Sequence, residues 1–208
     1  MEKFIKHYAL EIYTLISLGL LLAGTLMGSL SVIQKFVMVF NFLFVLHEWE
    51  EMHYPGGFIN LIAGVIGKDV SLEQKLASRI PTSVLLLTFT FVPFFWDTCV
   101  VPILVTATLG IFEGFVHLMA IRLFRLKKFY SPGMITAILE LFVSIALIVY
   151  LEQNGLALVS DYVLGVLIMF SCFVAMQKTL TMMVGVKYSE LPKRIRAQWN
   201  KPRNLPEQ

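Results

Sequence analysis

From residue 8 to residue 30 the chain carries one charged side chain, Glu11, and comparably apolar stretches recur at residues 32–53, 81–95, 100–122, 134–151 and 158–183. The hydrocarbon core of a bilayer is about 30 Å thick, a distance that about 20 helical residues cross. Inside it every backbone N–H and C=O must find a partner within the protein, which favours helices. The expected fold is an all-α integral membrane protein with about six transmembrane helices in a bundle. The first apolar stretch is longer than the core of a cleaved signal peptide and reads as the first of the six. Composition agrees: 57% of the residues are hydrophobic, 15% are charged and 17 are Phe, far to the apolar side of soluble domains. Cys99 and Cys172 lie in apolar runs without metal-ligand spacing and read as packing residues.

Breakers divide the spans. Tyr54-Pro55-Gly56-Gly57 ends the second helix, because Pro cannot continue the hydrogen-bond ladder and Gly frees the backbone to turn. Residues 58–79 then combine an apolar periodicity (Phe58, Leu61, Ile62, Val65, Ile66) with Lys68, Asp69, Glu73, Lys75 and Arg79. Too short and too charged to cross, they are expected to lie along the cytoplasmic interface as an amphipathic segment or short helical hairpin flanking the site. Pro81 suits the first turn of the third helix. Gly24 and Gly28 offer a small-residue face on the first helix. Residues 1–186 are expected to form one transmembrane domain and residues 187–208 a basic cytoplasmic tail, extended or partly disordered.

In a six-helix arrangement, 16 of the 17 Lys and Arg residues fall on one side and only Lys35 on the other. The positive-inside bias then puts both termini in the cytoplasm. The same asymmetry, with attraction to anionic lipid, accounts for the net charge of +3 without a nucleic-acid partner.

Chemistry concentrates in His47-Glu48-Trp49-Glu50-Glu51 at the end of the second helix. His47, Glu50 and Glu51 stand at i, i+3 and i+4, so one imidazole and two carboxylates share a side. The ordinary fate of a polar helix end beside an apolar span is to meet headgroups and water, and Glu48, Glu11 and Glu152 read that way. Glu113 and His117 on the fourth helix and Glu140 on the fifth are different, being flanked by apolar residues. His117 lies about 7 Å and Glu140 about 10 Å from the cytoplasmic surface, counted at 1.5 Å per residue. Buried ionisable groups are costly and need partners. The expected partner is a divalent metal held by His47, Glu50, Glu51, Glu113, His117 and Glu140, with His53 as a possible outer neighbour. An oxygen-rich set without thiolate favours iron or manganese, with zinc the third candidate. The paired Glu-x-x-His pattern of helical-bundle dimetal carboxylate proteins is absent.

The order of these motifs, His47-Glu48-Trp49-Glu50-Glu51, then the His117 segment, then Tyr130-Ser131-Pro132-Gly133 with Thr136-Ala137, resembles a bacterial family of membrane proteins named for an HXXEE motif. Members carry a pattern similar to Asn-x-x-x-His in the second motif, where this chain has Glu113 and His117. The resemblance implies a multi-pass protein of the bacterial inner membrane. It implies no reaction.

Three functions compete. The first is a membrane-embedded metal enzyme acting on a lipid or lipid-like substrate from the cytoplasmic leaflet, by oxidation or hydrolysis, with Glu50 or Glu51 as proton acceptor. The second is an ion-coupled transporter using Glu113, His117 and Glu140 as a relay, although the halves show no inverted repeat. The third is a non-catalytic membrane assembly protein, which would hold no metal.

Overall fold

A computed structural model describes residues 2–200 and contains nine α-helices and no strand among them. After α1 (Glu2–His7), six helices are long and apolar enough to cross a membrane: α2 (Ala9–Leu26), α3 (Val32–Met52), α5 (Leu72–Phe95), α6 (Val100–Leu123), α7 (Met134–Gln153) and α8 (Val159–Met183). The short helix α4 (Phe58–Ile66) lies between α3 and α5, and a 3-10 turn (Tyr188–Glu190) leads into α9 (Leu191–Asn200). The spans form one bundle around Phe40, Phe44, Ile103, Leu104, Leu147 and Met169. Alternating traverses bring the ends of α3 and α6 and the starts of α5 and α7 to the same face of the bundle as α1, α4 and α9.

Two helix starts are fixed by the same local device. Ser31 accepts from the Gln34 backbone N–H while the Gln34 side chain accepts from Ser31, and Ser71 and Gln74 repeat the pair at α5. These capping boxes satisfy N–H groups that a helix start would leave orphaned. Each glutamine also reaches across the bundle: Gln34 Nε2 donates to Phe94 O at the end of α5 (3.0 Å), and Gln74 Nε2 donates to Met183 O at the end of α8 (3.0 Å).

The second box corrects the expected start of the third span. It begins at Leu72, with Pro81 and Pro93 inside the helix. A span of 24 residues rises roughly 36 Å, enough to carry Glu73 and Lys75 beyond a bilayer core. The stretch 58–79 is therefore divided: residues 58–66 form α4, bounded by Gly57 and Gly67 in left-handed conformations, and residues from 72 belong to a span. The expected small-residue face on α2 is also only half present. Gly24 packs against the Met38 side chain of α3, whereas Gly28 lies past the helix end with φ +74°.

The tail differs from the extended segment expected. Leu191, Ile195 and Trp199 share one side of α9, which packs on α4 and the end of α6. Arg122 lies 4.4 Å over the Trp199 ring, and Gln198 Nε2 donates to Leu123 O (3.4 Å). Residues 201–208 of the expected tail lie outside the described residues.

Candidate metal centre

Close approach of α6 and α7 sets the distances at the centre. A Cβ on Gly110 would fall 3.1 Å from Glu140 O, and one on Gly114 would fall 2.9 Å from Leu141 Cβ. Two glycines four residues apart thus let the α7 backbone sit against α6, the small-residue packing common between membrane helices. Glu113 and His117 project from α6, Glu140 from α7, and His47 and Glu51 from the facing end of α3.

The two imidazoles meet edge to face, with ring centroids 5.0 Å apart. Glu51 Oε1 lies between them, 3.2 Å from His117 Nε2 and 3.6 Å from His47 Nε2, while Glu113 Oε2 is 3.7 Å from His117 Nε2. One ligand atom from each of His47, Glu113 and His117 lies within 4.8 Å of the other two. His117 is fully buried, and Phe58 at the start of α4 covers its ring at a centroid distance of 4.9 Å.

Hydrogen counting assigns the tautomer of His47. Thr136 Oγ1 donates its one hydrogen to Glu50 Oε2 (2.6 Å) or to Gly133 O (3.1 Å), and neither atom can donate in return. His47 Nδ1, 3.0 Å from that hydroxyl, must therefore carry the hydrogen between them. Ser131 Oγ donates to His117 O (3.1 Å) and lies 3.2 Å from His117 Nδ1, whose role in that pair depends on the ring's tautomer. A neutral His47 ring then presents the lone pair of Nε2 to Glu51 Oε1 at 3.6 Å, a separation that a proton or a metal ion between them would bridge. A ring N–H held by an outer partner while the other nitrogen points inward is the usual arrangement of a metal-ligating histidine.

Orphaned atoms fit the same requirement. His117 Nε2 and both carboxylate oxygens of Glu140 are buried without a hydrogen-bond partner. Glu140 is 0% exposed, and its Oε1 lies 3.9 Å from His47 Nδ1. Leaving such groups unpaired costs about 1–3 kcal/mol each, more when charged.

Glu50 does not join the cluster. Its Oε1 accepts from Tyr130 OH (2.8 Å) and Ile135 N (3.1 Å), and its Oε2 accepts from Thr136 N (3.0 Å) and Thr136 Oγ1. Gly133 at the N-cap of α7 has no side chain to satisfy those N–H groups, so a carboxylate from α3 does it across the bundle. Burial first, and then the bond to Glu50, push the pKa of Tyr130 above its ordinary value, so it donates as a neutral phenol. Glu50 is thus a brace between α3 and α7, not the free proton acceptor or ligand expected of it.

Two further expectations change. Glu48, read as solvated, is 2% exposed and lines the same interior space, with Oε2 unpartnered. His53, read as an outer neighbour of the metal, is exposed at the end of α3, its ring tilted against that of Trp49 (5.1 Å) and 3.5 Å from Arg79 Nη2. Ser131 and Thr136, which hold the two rings, were not identifiable as partners from sequence. Gly133 has a similar place: at φ +89°, a Cβ there would meet His117 Cε1 at 2.6 Å, Glu51 Cγ at 2.8 Å and His47 Cε1 at 3.0 Å.

The cluster opens onto a cavity of about 680 Å³ bounded by α3, α4, α5, α6, α8 and α9. Its walls are mainly apolar, with Phe58, Ile62, Leu86, Phe112 and Phe173 among them, and Glu48, Glu51, Glu113 and Glu140 share one region of it with His47. Neither cysteine belongs to the lining. Compared with known proteins, the chain matches no family model, no curated protein and no solved structure.

Proposed function

We propose that the protein is a membrane-embedded, metal-dependent enzyme acting on a lipid or lipid-like molecule. The observation that carries this reading is the pair of imidazoles held at Nδ1 by Thr136 and Ser131, with His47 Nε2 directed at Glu51 and His117 Nε2 at Glu51 and Glu113. His47, Glu51, Glu113 and His117 would hold the ion. Two nitrogen and at least two oxygen donors without thiolate suit iron, manganese or zinc. Once bound, such an ion supplies Lewis-acid or redox chemistry to a molecule in the adjoining cavity.

The remaining groups have distinct parts. Glu140 lines the cavity with both oxygens unengaged, so it is the carboxylate placed to take a proton. Glu50, already accepting four hydrogen bonds, keeps α3 and α7 in register. The apolar walls exclude water and match hydrocarbon. On the charge asymmetry of the loops, the face that carries the centre is cytoplasmic, and the HXXEE resemblance puts the protein in a bacterial inner membrane.

Elemental analysis of detergent-purified protein, repeated after incubation with iron, manganese or zinc and removal of excess ion, tests the reading. The expected result is near-stoichiometric metal in the wild type and loss of it in His47→Ala and His117→Ala variants that remain monodisperse. No retained metal in the wild type under any of these loadings would overturn it.

A further inference from the structure

The cavity has a second end that the metal centre does not use. Its walls continue from the His/Glu cluster to α9, where Ile195, Arg196 and Trp199 join the lining. Among the described residues Arg196 is the one lysine or arginine in that lining. It is exposed, and its neighbour Arg194 is instead paired with Glu190 at 2.9 Å. One turn along, Trp199 is covered by Arg122 at 4.4 Å, which adds a second guanidinium beside this end. The opposite region holds Glu48, Glu51, Glu113 and Glu140.

We propose that the cavity binds a single-chain amphiphile with an anionic head, its head at Arg196 and its hydrocarbon chain running along the apolar walls to the His/Glu cluster. Charge sets the direction. An anionic head placed among four carboxylates would be repelled in a medium of low dielectric, whereas the guanidinium of Arg196 attracts it and offers a planar fork of donors that fits a carboxylate. Volume sets the class: about 680 Å³ lies within the range of pockets that enclose one drug-sized ligand. The part of the ligand brought to the metal centre is then a segment of the chain, not the head. What happens to that segment rests on the reading above. The binding itself does not.

Photolabelling of the chelator-treated protein in nanodiscs with a diazirine-bearing C16 fatty acid, and with the corresponding C16 alcohol, tests the binding without metal. The acid should label peptides from α4 and α9. Arg196→Glu should lower labelling by the acid at least fivefold, leave labelling by the alcohol within twofold, and have its effect on the acid reversed in Arg196→Lys. Ala63→Trp, which adds bulk at the wall, should suppress both probes in a protein that elutes as the wild type does. Equal labelling of Arg196→Glu and wild type by the acid would overturn the placement of the head. Undiminished labelling of Ala63→Trp, or labels confined to the lipid-facing side of α8, would overturn the cavity as the site. A protein that retains no metal yet gives the expected labels would sink the enzyme reading and leave this inference standing.

Discussion

His117 Nε2 lies 3.2 Å from Glu51 Oε1 while the other nitrogen of the same ring is held by the Ser131 hydroxyl at 3.2 Å. The ring is gripped from a loop and aimed at a carboxylate, so ring orientation and metal affinity are linked through a residue that touches no ion. Ser131→Ala removes the grip and leaves every candidate ligand in place. Loss of such an outer partner typically lowers metal affinity 10–100-fold. Competition against a chromogenic chelator should find a drop of about that size, and the metal-free protein should lose about 1–3 kcal/mol, because a buried ring nitrogen is left without its partner.

Glu50 predicts an effect on stability alone. Its carboxylate satisfies N–H groups at the start of α7 and the Tyr130 hydroxyl, so Glu50→Ala should destabilise the protein with or without metal. A lost buried acceptor of this kind costs about 1–3 kcal/mol. The check is unfolding of the chelator-treated protein, in which a residue acting only as a metal ligand would have no such effect. An unchanged midpoint in that form would return Glu50 to the ligand set.

Gly133 should tolerate no side chain. An added Cβ would collide with both rings and with Glu51, at a φ of +89° that other residues adopt only under strain. Gly133→Ala is expected to abolish metal retention and to cost about 1–3 kcal/mol in stability. Gly57→Ala, also at positive φ but with nothing within 4 Å of the added atom, is the control for backbone strain alone. It should keep the metal.

These contrasts separate what is local in the chain from what is tertiary. The spans follow from apolar length, a requirement of the solvent that does not depend on which helix packs where. His47 with Glu51 and Glu113 with His117 follow from i, i+4 spacing. The start of α5 was also legible, in Ser71-x-x-Gln74, but a helix-favouring Pro81 drew the boundary inward. Leu191, Ile195 and Trp199 marked α9 as amphipathic although its charge suggested disorder. Gly110-x-x-x-Gly114 marked the α6 face that meets α7. By contrast, adjacent glutamates differ by about 100° around a helix, and whether Glu50 or Glu51 faces the rings depends on where α7 begins in space. The roles of Ser131 and Thr136 are likewise tertiary, since each bridges from the α7 side to a histidine on another helix.

Orientation can be checked separately. In a Cys99→Ser, Cys172→Ser background, a cysteine at Lys127 should be protected from a membrane-impermeant thiol reagent applied outside intact cells, and one at Asp97 should react. Lys127 follows the end of α6 and Asp97 precedes its start, so one helix separates them. The reverse pattern would put the His/Glu cluster at the outer leaflet and remove the cytoplasmic assignment, without touching the geometry of the cluster.

Glu140 gives the sharpest separation of stability from function. It is completely buried, neither of its oxygens has a hydrogen-bond partner, and its place on α7 is fixed by the close packing of Gly110 and Gly114. A group kept for packing would be better as an apolar side chain of similar length, because an unpaired buried carboxylate is costly whether it stays charged or takes up a proton. Glu140→Met should therefore raise the thermal midpoint of the metal-free protein. If Glu140 takes a proton from the bound substrate or steadies the positive charge of a bound ion, the same substitution should eliminate turnover or weaken metal retention. A stabilised protein that also keeps full metal content and activity would make Glu140 an accident of the core. A destabilised one would reveal a partner that the apolar side chain cannot replace, and would shift the role of proton acceptor to Glu48, the other cavity carboxylate with an unpartnered oxygen.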